Sequence, residues 1–459
     1  MKISIFSYLA LAFAFVTAGN LFSQDAGSFQ WSFRAGGEGN DKIRGACAAA
    51  NGGVFVTGEI TGETDFGPHM LKSAGSLDFV LAKIDQAGEV IWAVRTGGAE
   101  IDRGYAVSPD EDGGCFVTGH FQSETIRFGD VKLTNSGDYD GFIARFNESG
   151  KCLWAQRFGG ENYDFGHGIS TGSDGNVVVS GTIANLGDIG GKVIGREKSR
   201  SAVVAKFSPD GEMIWSAAAT GPGISGHNVT VGSDGLIYLA AFGRGKIDWS
   251  DTVSTTSKIQ DIGLAKYNAN GEFQWVKQAG GESNGASTGV SVDEKTGNIC
   301  LSGMFKGTAR FGDSEFTSHG GNDFFVAVYS SDGDVLNAHH GGGLETDYAL
   351  GSAALPNGGG FVITGEITKA ANFNGKKFTT TGERDAYILE LSPDGSVVKS
   401  FILAGGKDHD LSYAIAATSD GGVVISGAFR NETQFGATSL TAKKGNDIFV
   451  SKYQSSAAK

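Results

Sequence analysis

Two sets of aspartates return along the chain in positions that suit either cation binding or turn formation. Asp41, Asp102, Asp164, Asp347 and Asp410 each follow a Gly-Gly pair, and Asp78, Asp140, Asp261, Asp323, Asp385 and Asp447 each open an apolar, alternating segment. As ligands they would form a ring of calcium-type carboxylates, because hard cations take carboxylate and carbonyl oxygens. None of the Asp-Gly turns, however, carries the spaced acidic run of an EF-hand. A residue that recurs in nearly every copy of a repeat usually maintains the copy, here by accepting backbone N–H bonds in a turn. The structural reading is preferred, and no metal or cofactor is expected. A recurring base (Lys83, Arg145, Lys206, Lys266, Lys452) alternates with apolar neighbours and is expected to pair with one of the aspartate sets.

The histidines (His69, His120, His167, His227, His319, His339, His340, His409) are dispersed, without an HExxH or a paired metal-ligand spacing. His339 with His340 is the one adjacent pair and reads as a surface pair in preference to a metal site. Gly341 to Gly343 repeat a glycine link and carry no P-loop or dinucleotide fingerprint. No nucleophile constellation stands out, so no catalytic residue is assigned. Departures from the repeat are more informative. In the third and fourth copies Ser201 and Ser225 replace aspartates, Ile189 and Trp249 replace a phenylalanine, and Arg196, Lys198 and Arg200 form a basic run. Residues released from a template can serve a ligand, so Arg196, Lys198, Arg200, His227 and Trp249 are the candidate ligand-binding set. Drift within a tolerant repeat is the competing explanation.

The elements that must position these residues follow from the repeat. Phe66, Phe128, Phe311, Phe373 and Phe435, with Ile189 and Trp249 in the gaps, recur every 60 to 62 residues. A period of that length means one supersecondary unit copied and stacked. The second copy reads as four strands: Gly104 to Pro109, Cys115 to Phe121, Gly141 to Phe146 and Cys152 to Phe158. Turns such as DEDGG and NESGK join them. The predicted fold is all-β, a seven-bladed β-propeller with four antiparallel strands per blade. Small residues on each first strand suit the crowded centre. Trp31, Trp92, Trp154, Trp215 and Trp275 on the fourth strands suit the outer gap between blades, whereas Asn337 breaks that pattern. The chain opens on a fourth strand around Trp31 and closes on a third, so the N-terminal strand is expected to complete the last blade and close the ring. The long connections, such as Thr61 to Leu77, share one face and are expected to fold their Phe-Gly step into a small hairpin.

The recurring order of aromatic, Gly-Gly, Asp, a DG turn, a VTG or VSG strand, an FG step and a strand ending in AKY or AKF resembles the SBBP-type β-propeller repeats of bacterial secreted and surface proteins. The likeness runs from about Gln30 to Tyr453. It implies a propeller and a secreted or surface location, and no shared chemistry.

Residues 1–24 read as a secretory signal peptide, with Lys2, an apolar run from Ile3 to Val16, and small residues for cleavage. Residues 25–459 read as one domain. With 51 acidic and 37 basic residues the net charge is −14, which argues against nucleic acid and anionic membranes as partners. Cys47, Cys115, Cys152 and Cys300 stand where other copies carry small apolar residues and are read as unpaired. The expected protein is a secreted, monomeric, non-catalytic binding or scaffold module that presents long loops to a protein or glycan, acidic ligands being the first class to test. The competing class is a propeller-type polysaccharide lyase or glycoside hydrolase, which needs unlike catalytic groups converging near a channel mouth. A deep, asymmetric pocket lined by acids and bases would favour that class.

Overall fold

Alternation and turn chemistry set the strands of the first repeat. The computed structural model describes residues 27–455; the expected signal segment 1–24 lies outside them. Strand β1 covers Ser28–Gly37, β2 Lys42–Ala48, β3 Val54–Ile60, β4 Glu63–Phe66, β5 His69–Lys72, β6 Asp78–Ile84 and β7 Val90–Thr96. Antiparallel pairing runs β2–β3–β6–β7, and the long connection folds into the β4–β5 hairpin, Phe66 opposite His69. The Phe-Gly step therefore turns a hairpin, as its composition predicts. Every residue of β3 and β6 is buried, so apolar side chains occur on both faces, with Thr57, Glu59, Asp78 and Lys83 as buried polar members. Among the described residues all regular structure is strand except a 3-10 turn at Pro356–Gly358. None of the described helices is long and apolar enough to cross a membrane.

The core lies between sheets. Phe55, Phe79 and Leu81 of the first repeat pack with Phe121, Phe128 and Phe142 of the second, Phe79 meeting Phe142 edge-on at 5.6 Å between centroids. Sheets stacked face to face along a repeat are the β-propeller arrangement. The tryptophans staple neighbours: the indole N–H of Trp31, Trp92, Trp154 and Trp215 donates to the carbonyl of Gln86, Glu148, Pro209 and Ala269 at 2.8–3.0 Å. Asn337, which breaks the pattern in sequence, keeps the bond by donating its amide to Asp394 O at 2.9 Å. Gly150 (φ +79°) lies under the Trp92 ring, where a Cβ would come within 2.8 Å.

Both aspartate sets accept backbone N–H bonds. In each, the N–H four residues earlier donates: Gly98 to Asp102 at 2.8 Å, Gly343 to Asp347 at 2.8 Å, Ser136 to Asp140 at 2.7 Å and Thr381 to Asp385 at 2.9 Å. Within the second set Asp78 also pairs with Arg95 at 2.9 Å, Asp140 with Arg157 at 3.1 Å, and Asp447 with Arg34. The recurring base corrects the sequence expectation, because it meets neither set. Arg145 pairs with Asp110 and Asp112, Lys206 with Asp174 and Lys452 with Asp420, all acids of the short turns. The reason is polarity: the base sits at the end of its strand, beside the short turns, while the aspartates start theirs at the opposite end.

Candidate functional site

Each innermost strand carries a β-bulge at the same place. Pairing slips between Ile43 and Gly45, Gly104 and Ala106, Gly166 and Gly168, Gly226 and Asn228, Ser287 and Gly289, Ala349 and Gly351, and Ser412 and Ala414. The residue left unpaired is Arg44, Tyr105, His167, His227, Thr288, Leu350 or Tyr413. A bulge re-aims its side chain, and all of these line one cavity of about 550 Å³. The scaffold positions around them are alike, chiefly Gly, Ala and Ser, whereas the bulged side chains differ from copy to copy. Side chains that differ from copy to copy are thus brought together in this cavity.

Charge and aromatic surface meet there. Arg44 forks onto Glu59 at 2.5 and 2.7 Å and lies over the rings of Tyr105 (4.9 Å) and Tyr413 (5.6 Å). Arg103 stands 3.8 Å from the same Glu59, and Lys42 lies 5.9 Å from the centre of the Tyr413 ring. Glu366 is buried; it receives Arg384 at 2.5 Å and has no partner for its second oxygen. Burial pushes its carboxyl up to about 7, against the pull of Arg384. Of these charged side chains only Arg44 lines the cavity; around it Lys42, Arg103 and Arg384 outnumber Glu59 and Glu366, an excess of base on a chain of net charge −14.

Beyond Tyr105 the wall is imidazole. His120 and His167 flank Tyr105 at 5.1 and 5.2 Å, and His227 stacks on His167 at 5.1 Å with planes 11° apart. His167 Nδ1 lies 3.1 Å from Gly226 O and His227 Nδ1 3.3 Å from Thr288 O. A carbonyl only accepts, so these bonds assign the proton to Nδ1 and leave Nε2 as a lone-pair acceptor. Burial holds these rings neutral: His167 falls to about 3, with His227 adding to the effect, and His227 and His120 are also lowered. Both nitrogens of the buried His120 lack a partner.

These shifts set a pH dependence. Burial raises Asp41, Asp347 and Asp410 to about 7, each facing an aspartate of the other set, and Glu366 titrates in the same range. A carboxyl held above its unfolded value contributes stability that is complete below about pH 4 and is lost as pH rises through about 7. The lowered histidines act oppositely, their contribution being lost as pH falls below about 6.5. Four carboxyls outweigh three histidines, so stability should rise by about 2 kcal/mol net from pH 8.5 to 6.5 and continue to rise toward about pH 5.5. Urea midpoints across the range check this, and a midpoint that climbs with pH would contradict it.

Of the residues singled out from sequence, His227 alone lies in this cavity. Arg196 is exposed and pairs with Asp248 at 3.0 Å, which also takes Lys246, so its charge is offset locally. Lys198 occupies a left-handed position (φ +57°) in the same hairpin, its N–H donating to Asn185 Oδ1 at 2.8 Å. Arg200 is half-buried opposite Ala184. Trp249 is core, in the buried place that Phe128 and Phe311 fill elsewhere, and its indole N–H donates to Thr255 Oγ1 at 2.8 Å. The structure thus does not gather this set into one site. The missed signal was the single variable place in otherwise small first strands, occupied by Arg44, Tyr105, His167, His227 and Tyr413.

No family model matches the chain. It is similar to Regulatory protein FlaEY of Caulobacter vibrioides, 24% identical over 431 residues that cover 84% of this chain and 42% of the relative. It is also similar to an uncharacterised WD repeat-containing protein of Acanthamoeba polyphaga mimivirus, 22% identical over 433 residues, with coverage of 74% and 31%. The chain thus spans less than half the length of either relative. Among solved structures, a europium-containing methanol dehydrogenase aligns at 10% identity and TM-score 0.41, covering 92% of this chain and 93% of the other. A Synechocystis apocarotenoid oxygenase aligns at 9% and TM-score 0.42, covering 92% and 95%. With sheets stacked along a repeat and a WD-repeat relative, the chain is a β-propeller repeat protein.

Proposed function

We propose that this is a secreted, monomeric, seven-bladed propeller of the SBBP type that binds a carboxylate-bearing glycan at its channel mouth without transforming it. The period of 60 to 62 residues supports the blade count. Closure of the ring is supported by β1, which pairs with the strand Thr438–Gln454 from Ser28 opposite Gln454 to Ala35 opposite Ile448. The signal-like N-terminus supports secretion.

The observation that carries the binding reading is the ring of bulged, dissimilar side chains with Lys42, Arg44 and Arg103 beside Tyr105 and Tyr413. Cations attract a carboxylate and focus it into a cleft on an acidic body; aromatic faces take the C–H faces of a sugar. The ligand-binding role expected of Arg196, Lys198 and Arg200 therefore moves to the channel mouth. One observation favours a second reading, that of a polysaccharide lyase. A neutral His167 with a free Nε2 lone pair stands beside Tyr105 and Arg44. Arg44 would neutralise a uronate carboxylate while Nε2 takes the adjacent C–H proton, the C–H pair forms a C=C bond and the glycosidic oxygen leaves with its electrons.

Calorimetry with polygalacturonate, a neutral glucan as control and an acidic peptide as rival tests both. Polygalacturonate should bind, and Lys42→Ser and Tyr105→Ala should each weaken it about tenfold, roughly 1.4 kcal/mol. The loss for Lys42→Ser should be larger at low salt. The pair Arg196→Ser with Lys198→Ser should leave affinity unchanged. Growth of ultraviolet absorbance from an unsaturated product would establish the lyase reading. Absence of binding, or affinity indifferent to Lys42 and Tyr105, would reject the site.

A further inference from the structure

One outer corner of the fold departs from its equivalents in two places at once. At three equivalent corners a buried aspartate is paired with an arginine: Asp78 with Arg95, Asp140 with Arg157 and Asp447 with Arg34. At Asp323 the arginine position is His340, and the residue four before the aspartate, Ala74, Ser136 or Lys443 in those corners, is His319. Donor atoms of His319, Asp323 and His340 all lie within 4.8 Å of one another. His319 Nδ1 is 2.8 Å from Asp323 Oδ2, and the two imidazole planes are 5° apart with centres at 5.6 Å. The adjacent His339 points away and bonds Gly395 O at 2.7 Å, so the pair next to each other in sequence is split between two faces.

We propose that His319, Asp323 and His340 form a binding site for a divalent transition metal of the zinc class. Two imidazole nitrogens and one carboxylate oxygen are a borderline donor set that suits Zn²⁺, with a fourth position open to water. Asp323 is fully buried and anchors the site from the strand start, while His340 is held against Phe316 at 4.5 Å. Zinc needs its donors at about 2 Å from the metal, so the site closes by rotation of His319, whose side chain is 46% exposed on a loop. The two histidines convert a place that at three other corners neutralises a carboxylate with a fixed cation into one that can accept a mobile cation.

The test is calorimetric titration of the chain, free of any histidine tag and stripped with chelator, with ZnCl₂. One saturable equivalent is expected, with a rise in melting temperature at saturation. His340→Arg introduces the pairing used at three other corners, so it should fold as well as the parent and lose the saturable equivalent. His319→Ala should weaken it at least tenfold. A parent chain without saturable binding, or variants that bind zinc as tightly as the parent, would overturn the assignment.

Discussion

A chain lacking residues 28–37 should not fold as a stable monomer. β1 supplies the outer strand to a sheet whose other members come from the far end of the chain. Its ring contacts span both ends: Phe29 meets Phe435 at 5.4 Å and Tyr453 at 5.3 Å, and Phe33 meets Phe66 at 5.8 Å. Trp31 staples the neighbouring sheet through Gln86 O. Truncating a buried Phe or Trp costs about 3–5 kcal/mol. Half that for each of the three rings already takes about half of the roughly 5–15 kcal/mol that hold a typical domain together. Removing Arg34 also strands the buried Asp447 carboxylate, a loss of about 3–5 kcal/mol. The strand Thr438–Gln454 would then present a raw edge that invites pairing between chains. Urea unfolding with light scattering should show a collapsed midpoint and association. An unchanged midpoint with monomeric scattering would rule out closure by β1.

Gly159→Ala should cost about 3 kcal/mol or more. Its φ of +133° is a conformation that side chains rarely adopt, and a Cβ there would stand 2.5 Å from Asp140 Oδ1 and 2.7 Å from Asp164 Oδ2. Backbone strain alone accounts for about 1–3 kcal/mol. The added methyl must also push apart two buried carboxylates, one of which is bonded to the N–H groups of Gly160 and Ala184 at 2.6 and 2.7 Å. Gly129→Ala is the matched control: φ is +61°, and no atom lies within 4 Å of the new Cβ. It should cost only about 1–2 kcal/mol. Equal losses for the two variants would mean that the carboxylates move aside freely and that strain is the whole effect.

The sequence by itself determined the strands, the turns, the hairpin at each Phe-Gly step and the tryptophans between sheets. It also indicated that the N-terminal strand pairs with the C-terminal one. Each of these rests on a local pattern: period-two alternation, an Asp-Gly turn, a large ring at a fixed offset, or the phase at which the chain starts. Repetition made them readable, since a weak signal seen in most copies becomes a strong one. Tertiary structure alone decided which side chains meet. Arg44, Tyr105, His167 and Tyr413 come from segments far apart in the chain, and a one-residue bulge in each strand turns them into a shared cavity. The recurring bases met turn acids and not the aspartate sets, because strand direction places them at opposite ends of the sheet. His319, Asp323 and His340 lie close in sequence but on different elements, and they meet only where a loop, a strand start and a strand end share one corner. A repeat pattern records what every copy needs to pack. A site is built where the copies differ and their differences face a common space, and that depends on distances between segments that no local pattern encodes.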